Sequence, residues 1–171
     1  MIGAANVDLV IIEEDALDVR ARSEPDAYEV AGWVEDAQAL YLFSGPRLTW
    51  PLTAEHLQDM LSTEGLTAWV VVSRAGDLLA HFDLTIEGAL ARLGRVIVRP
   101  ELRGRGLASR IVDLAVMQAQ RLGAEVVRLN VIITNEPAIR AYRRASFDVL
   151  PGASSRADVI VMERQVTAAL P

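Results

Sequence analysis

The residues best suited to bind a ligand lie in one short segment between a predicted strand and a predicted helix. The segment reads Arg103-Gly104-Arg105-Gly106-Leu107-Ala108 and is followed by Ser109. Glycine permits positive φ angles and lets the backbone come close to a ligand. The first turn of a helix leaves free N–H donors at the positive end of the helix dipole. This turn is therefore suited to holding phosphate oxygens, and its two arginines add positive charge nearby.

Three interpretations of this segment are open: a tight turn with solvated arginines, a dinucleotide-binding loop, or an anion site of another kind. The fingerprint Gly-x-Gly-x-x-Gly begins at Gly104 and Gly106, but Ser109 stands at its third glycine position. The glycines also lie well past the end of the predicted strand, and this unit does not open a Rossmann array. These two departures disfavour the dinucleotide interpretation.

Composition excludes several other kinds of chemistry. The chain of 171 residues has no cysteine, and all 17 basic residues are arginine. Disulfides, thiolate catalysis, cysteine-ligated zinc, Walker-type phosphate loops and Schiff-base chemistry are therefore excluded. We expect no metal, because His56 and His81 are isolated in the sequence. No apolar run is long enough for a membrane span and no leader pattern is present, so we expect a cytoplasmic protein, and the lysine-free composition indicates a bacterial source.

Charge is unevenly distributed along the chain. Residues 1–90 carry 16 acidic side chains and 4 arginines, a net of −12, whereas residues 91–171 carry 7 acidic side chains and 13 arginines, a net of +6. One interpretation is a drift between two solvated faces. The other is an anion site in the C-terminal half and an acidic surface in the N-terminal half.

Hydrophobic periodicity and breaker residues predict a mixed sheet with helices on both faces, of α/β or α+β type, in a single domain. Consecutive strands in the middle of the chain predict an antiparallel meander, and the strand–helix–strand unit after it predicts a parallel crossover. The predicted strands are 7–12, 68–73, 78–86, 93–98, 126–133, 147–150 and 158–162. The predicted helices are 25–43, 54–61 with Thr53 as N-cap, 107–122 with Gly123 after it, and a short one capped by Thr134 or Asn135.

The C-terminal half of the sequence resembles the GNAT superfamily of acyl-CoA-dependent N-acetyltransferases. The pyrophosphate loop of that family reads Arg/Gln-x-x-Gly-x-Gly/Ala, and residues 103–108 match every defined position. Val96-Ile97-Val98-Arg99-Pro100 is similar to the family's splayed strand, and Asn135-x-x-Ala138-Ile139-x-x-Tyr142 with Phe147 is similar to its second signature. The resemblance covers residues 93–150 closely. It is looser over residues 28–90, where Ser44-Gly45-Pro46 is similar to one bacterial subgroup.

The resemblance implies a GNAT-like single domain over residues 1–171, with a mostly antiparallel sheet of about seven strands. Residues 93–150 would form the cofactor-binding core, and residues 13–65 the helices on the acceptor side. The implied cofactor is acetyl-CoA. Its pyrophosphate would be held by the loop beginning at Arg103, through the backbone N–H groups of Gly104, Arg105, Gly106, Leu107, Ala108 and Ser109.

The resemblance also implies roles for residues on either side of this loop. The backbone of Val96, Ile97 and Val98 would pair with the pantetheine arm, and Asn135 would hydrogen-bond that arm. Asn135 is also suited to capping a helix, and both roles are compatible. The Tyr142 hydroxyl would protonate the leaving thiolate, although a tyrosine at this spacing also fits a core position.

The sequence departs from the family pattern in two places. Ser146 stands before Phe147 where the family usually has glycine, which would alter a turn. The family's common general-base positions are occupied by Asn130 and Arg92, so the base is not identified. His81 or Asp83, two apart on one predicted strand together with Thr85, could supply it, or water could relay the proton. Glu35, Asp36 and Glu87 have no special claim, and all of these groups equally suit structural or surface roles.

The leading hypothesis is an N-acetyltransferase that moves an acetyl group to a primary amine by direct attack in a ternary complex. The acidic first half favours a small, cationic acceptor through electrostatic steering, with polyamines, amino sugars, amino acids and protein N-termini all open. The alternative is a non-catalytic acyl-CoA-binding sensor or regulatory module. The arginines are scattered and no aromatic ladder accompanies them, which argues against binding of nucleic acid. No feature indicates a membrane partner. A homodimer is compatible with the resemblance.

Overall fold

A seven-stranded sheet forms the framework of the protein. The computed structural model describes residues 16–166, and its strands follow the order β1-β2-β3-β4-β5-β7-β6. Every neighbouring pair is antiparallel except β4 and β5, which are parallel and are connected through a helix. The strands are β1 Asp18–Ala21, β2 Leu66–Val72, β3 Leu78–Glu87, β4 Leu90–Val98, β5 Val126–Ile132, β6 Asp148–Val149 and β7 Val159–Gln165. The predicted mixed, mostly antiparallel sheet is therefore confirmed.

Helices cover both faces of this sheet, as predicted. The helices are α1 Glu24–Gly32, α2 Ala37–Ser44, α3 Ala54–Asp59, α4 Leu107–Arg121 and α5 Glu136–Arg144. Helices α4 and α5 share one apolar cluster with Phe82 and Leu84 of β3. Helices α1, α2 and α3 share a second cluster with Val70 and Val72 of β2. Because successive side chains of a strand point to opposite faces, these two clusters define an α4 face and an α2 face of the sheet.

Two sequence predictions need a comment. The predicted helix over residues 25–43 is two helices, because Asp36 starts a new one by accepting a hydrogen bond from the Ala39 backbone N–H at 2.7 Å. The predicted strand 7–12 lies outside the described residues. The predicted caps are correct: Thr53 accepts from the His56 backbone N–H at 3.3 Å, and Gly123 follows α4 with a φ of 91°.

Candidate active site

Strands β4 and β5 run together and then separate. Their parallel register extends from Leu90 opposite Val126 to Leu93 opposite Leu129 and goes no further. Beyond that point β4 still pairs with β3, but with an extra residue in β4 and a φ of 45° at Arg95. This bulge bends β4 away from β5. The strand that the sequence predicts to be splayed is therefore splayed, and Val96, Ile97 and Val98 have no partner on the β5 side.

A loop rich in glycine follows the splayed strand; we call residues 103–109 the glycine loop. Gly104 and Gly106 have φ angles of 74° and 77°, and a Cβ at either would have no heavy atom within 4 Å. Gly106 is the N-cap of α4 and provides no side-chain cap. The N–H groups of Leu107, Ala108 and Ser109 therefore lack helical acceptors, as in any first turn, and the surrounding space is open. This arrangement fits an anionic group such as a pyrophosphate.

The two arginines of the glycine loop differ in what they contact. The Nε of Arg103 donates to the Val98 carbonyl at 3.0 Å, and its Nη2 donates to the Trp33 carbonyl at 3.1 Å. The guanidinium of Arg103 therefore fastens the loop to β4 and to the end of α1. Arg105 is exposed at the loop surface. The predicted phosphate site consequently consists mainly of backbone groups.

Asn135 and Tyr142 lie on α5, beside the gap between β4 and β5. Asn135 caps the helix, its Oδ1 accepting from the Ala138 backbone N–H at 3.4 Å, which leaves the amide nitrogen available to a ligand. Tyr142 belongs to the same apolar cluster as Leu93 and Leu129, the last paired residues of the two strands. Burial raises the pKa of the Tyr142 phenol, so the hydroxyl is protonated at neutral pH.

The turn after α5 explains one departure from the family pattern. Ser146 has a φ of 62°, in the left-handed region that glycine adopts without cost. Its backbone N–H donates to the Arg143 carbonyl at 3.0 Å, and that of Phe147 donates to the Tyr142 carbonyl at 3.0 Å. Serine therefore closes this turn in a left-handed conformation, whereas the sequence led us to expect that the missing glycine would alter the turn.

A cavity of about 470 Å³ opens on the α2 face of the sheet at the same gap. Its walls come from the C-terminal end of α2, the middle of β3, the diverging parts of β4 and β5, and the segment between β6 and β7. We call it the arginine cavity, because five arginines line it: Arg47, Arg92, Arg95, Arg128 and Arg156. A single carboxylate, that of Asp83, faces them among the lining residues.

The charge of this cavity was not anticipated from the sequence. The sequence left two interpretations of the arginine excess in residues 91–171 open, solvated faces or an anion site, and four of the five cavity arginines come from that excess. Arg92 is the position at which we noted a missing base. The net positive lining weighs against the cationic acceptor that the acidic N-terminal half led us to expect, because like charges repel in a site of low dielectric.

Asp83 is held by Arg95. The Arg95 Nη2 donates to Asp83 Oδ1 at 2.8 Å, and its Nε donates to Oδ2. Both side chains are buried, with 7% and 4% of their surfaces exposed for Arg95 and Asp83. Burial raises the pKa of the Asp83 carboxyl, and the Arg95 guanidinium opposes that effect. Gly94 is part of this arrangement, since a Cβ there would lie 2.8 Å from Asp83 Oδ1.

His81 shares the face of Asp83 but does not line the cavity. It is fully buried; its Nδ1 lies 2.9 Å from the Arg95 carbonyl and its Nε2 lies 3.3 Å from Arg22 Nη1. A neutral imidazole satisfies both contacts by donating from Nδ1 and accepting at Nε2. Burial lowers the pKa of His81 to about 3. These contacts favour a structural role over that of a general base.

Comparison with known proteins shows to which family of proteins this chain belongs. The model of the acetyltransferase (GNAT) family matches residues 30–147. A putative ribosomal protein bS18-alanine N-acetyltransferase of Bacillus subtilis is 24% identical over 119 residues, 70% of this chain and 78% of that protein. An uncharacterized N-acetyltransferase of Methanocaldococcus jannaschii is 32% identical over 59 residues, 34% of this chain and 26% of that protein.

Among solved structures, the spermidine N-acetyltransferase of Vibrio cholerae in complex with CoA and spermine has the same fold. The TM-score is 0.71 at 18% identity, with 88% of this chain and 96% of that chain covered. The chain therefore belongs to the GNAT acetyltransferase family, a family of acetyl-CoA-dependent N-acetyltransferases. The helices within residues 16–166 include none that is long and apolar enough to cross a membrane. Over the same residues, no cluster of three or more acidic, histidine or cysteine side chains could hold a metal.

Proposed function

We propose that this protein transfers the acetyl group of acetyl-CoA to a primary amine of a small molecule, by direct attack in a ternary complex. The observation that carries the proposal is the gap between β4 and β5. The glycine loop lies on one side of it and the arginine cavity on the other. Two substrates can therefore reach one gap from opposite faces. Direct transfer requires such a meeting point, because the reacting atoms must approach to about 3–3.5 Å.

The coenzyme side of the proposal rests on backbone groups. The N–H groups of residues 104–109 would hold the pyrophosphate at the N-terminus of α4. The free edge of Val96, Ile97 and Val98 would pair with the amides of the pantetheine arm, as an added strand would. The amide nitrogen of Asn135, which the helix cap leaves unused, would donate to the same arm.

Tyr142 is the proposed general acid. The amine nitrogen attacks the thioester carbonyl carbon, a C–N bond forms, the C–S bond breaks, and the sulfur takes the phenolic proton of Tyr142. The acylated nitrogen then releases its extra proton, and water carries that proton to the phenolate and restores Tyr142. The raised pKa of the buried phenol keeps that proton in place until the thiolate leaves. General acid catalysis of this type contributes about 10²–10⁴-fold to a rate.

The amine must lose its own proton before it attacks. Asp83 is the single carboxylate that lines the arginine cavity, and Arg95 occupies both of its oxygens. His81 lies behind the wall with both ring nitrogens engaged. We therefore propose that the ammonium gives its proton to water. The arginines of β4 and β5 at the gap, Arg92, Arg95 and Arg128, assist, because neighbouring positive charge lowers the pKa of a bound ammonium.

The acceptor is proposed to be small because of the size of the cavity. A volume of about 470 Å³ lies within the range of small-molecule sites. The solved relative from Vibrio cholerae holds spermine, a polycation. The arginine lining gives no reason to transfer that particular acceptor to this protein.

A second candidate is a non-catalytic acyl-CoA-binding module, and the absence of a free base in the cavity lining favours it. Calorimetric titration with acetyl-CoA, with NADH as control, tests the coenzyme site. Micromolar binding of acetyl-CoA without binding of NADH supports both candidates, and no binding of acetyl-CoA overturns both. A thiol-release screen across amines then separates them, since release that depends on an amine supports the transferase. This cysteine-free chain adds no thiol background to that screen.

A further inference from the structure

The described residues that line the arginine cavity include five guanidinium groups and one carboxylate. Arg92, Arg128 and Arg156 form ion pairs with Glu87, Glu163 and Asp158. Each of those carboxylates stands outside the cavity lining. The three guanidiniums therefore line the cavity while their carboxylate partners do not.

Arg156 retains an unused donor at the cavity. Its Nε and Nη2 contact Asp158 at 3.0 and 2.7 Å, and Nη2 also reaches the Tyr41 hydroxyl. Its Nη1 has no hydrogen-bond partner among the described residues, and lies 3.9 Å from the Cβ position of Gly45. Arg156 therefore reaches the turn that carries Arg47, and both arginines line the cavity.

Arg47 is the arginine that lacks a fixed partner. It ends the 3-10 turn Gly45–Arg47 after α2, it is exposed, and it forms no hydrogen bond or ion pair within the described part of the chain. Arg47 interacts electrostatically with Asp83, whose carboxylate already pairs with Arg95. An unpaired guanidinium in the same cavity as a second one with an unused N–H group is suited to an oxyanion, since guanidinium binds carboxylate and phosphate oxygens with paired N–H groups.

We infer that the amine acceptor carries an oxyanion, a carboxylate or a phosphate, which Arg47 and Arg156 bind in the arginine cavity. The inference rests on the proposed function and specifies its substrate class. The anion would lie between the turn after α2 and the segment before β7. The amine would then point toward the gap at Gly94 and Asn130, where β4 and β5 separate.

The experiment compares acceptors that differ only in the anion. O-Phosphoethanolamine is measured against ethanolamine, L-leucine against 3-methylbutylamine, and spermidine serves as the cationic acceptor. We expect kcat/KM, measured by thiol release, to be at least about tenfold higher for an anion-bearing member than for its partner. A hydrogen bond to a charged group contributes about this factor to binding. The first pair reports on phosphate and the second on carboxylate.

Variants assign the effect to the cavity. Arg47→Ala is expected to raise KM for the preferred anionic acceptor by roughly 10–100-fold and to leave its anion-free partner within about twofold. Arg74→Ala is the matched control, since Arg74 is an exposed arginine in the turn between β2 and β3. Arg47 is exposed and unpaired, so its removal leaves the core intact; Arg47→Glu provides the charge-reversed second variant.

The outcomes separate the inference from the proposed function. The inference is overturned, while transferase activity stands, if the enzyme prefers spermidine or the anion-free amines. It is also overturned if Arg47→Ala lowers kcat/KM equally for both members of a pair. If no amine is acetylated, calorimetric titration of O-phosphoethanolamine and L-leucine into the CoA-saturated protein decides. Binding that Arg47→Ala weakens and Arg74→Ala does not then supports the inference without the activity, and absence of binding overturns it.

Discussion

The two faces of the sheet present different kinds of groups at the proposed binding sites. On the α4 face, the glycine loop offers backbone N–H groups, and its one well-placed arginine, Arg103, is committed to carbonyl oxygens. On the α2 face, the arginine cavity is lined by charged side chains from five separate segments. A site made of backbone groups depends on φ angles, so most side-chain substitutions leave its hydrogen-bond donors in place. A site made of side chains can change its charge with a single substitution. Under the proposed function, the coenzyme side is therefore the half that tolerates side-chain changes, and the cavity is the half that selects the acceptor.

The largest expected effect tests the α4 face. Tyr142→Phe removes the proposed acid but keeps the ring against Phe147, whose centroid lies 6.0 Å away. We expect turnover to fall by about 10²–10⁴-fold. Acetyl-CoA affinity, measured by calorimetry, should change less than about twofold, because Tyr142 contributes no proposed binding contact.

Tyr28→Phe is the control for that variant, since Tyr28 is an exposed tyrosine of α1. It should leave turnover unchanged. Turnover of Tyr142→Phe within about threefold of the native protein would show that Tyr142 is a core residue and that the thiolate takes its proton from water.

The next effect tests the α2 face. Asp83→Ala leaves the Arg95 guanidinium buried without its partner. Removing one member of a buried pair typically lowers the free energy of unfolding by about 3–5 kcal/mol. Urea denaturation measures this loss, and Asp83→Ala combined with Arg95→Met should recover much of it, because the unpaired charge is then gone.

Glu136→Ala is the matched control for the ion pair. Its partner Arg140 lies one helical turn away, and both side chains are largely exposed, so the pair contributes little to stability. A loss for Asp83→Ala no larger than that of Glu136→Ala would mean that water reaches the Asp83 pair and screens it.

A smaller effect compares two glycines of similar conformation. Gly106→Ala places a Cβ on a residue with a φ of 77°, at the proposed pyrophosphate site. Gly76→Ala places a Cβ on a residue with a φ of 93°, in the β2–β3 turn and away from that site. Both should lose about 1–2 kcal/mol of unfolding free energy from left-handed strain. Acetyl-CoA affinity, measured by calorimetry, should fall at least about tenfold in Gly106→Ala alone, by loss of close backbone contact. Equal affinities in the two variants would remove the glycine loop from the coenzyme site.

An effect of comparable size is a pH dependence of stability from the α2 face. His81 has a folded-state pKa of about 3, below its ordinary value of 6.5. The unfolded chain therefore takes up this proton first as pH falls, and stability present above pH 6.5 is lost on acidification. The loss due to His81 should reach about 2 kcal/mol between pH 7 and pH 5.

Denaturation curves at pH 7, 6 and 5 check this contribution. His81→Gln should flatten the dependence over that range. An unchanged slope in His81→Gln would show that the imidazole is already accessible to protons in the folded state.

Much of the fold could be read from local sequence because its signals are local. Thr53, Asn135 and Gly123 mark helix ends through contacts within a few residues, and the structure has them there. The break between α1 and α2 was missed because the apolar spacing continues across it, while the Asp36 cap that starts the second helix was taken for a residue within one helix.

The sequence by itself determined the family, the sheet with helices on both faces, and the glycine loop, since each depends on residues close together in the chain. Tertiary structure alone decided the charge of the cavity. Arg47 and Arg156 are more than a hundred positions apart, and only the packing of α2 against the diverging strands brings them to one cavity. Whether a charge is free or paired is likewise decided by neighbours in space, as the commitment of Asp83 to Arg95 shows.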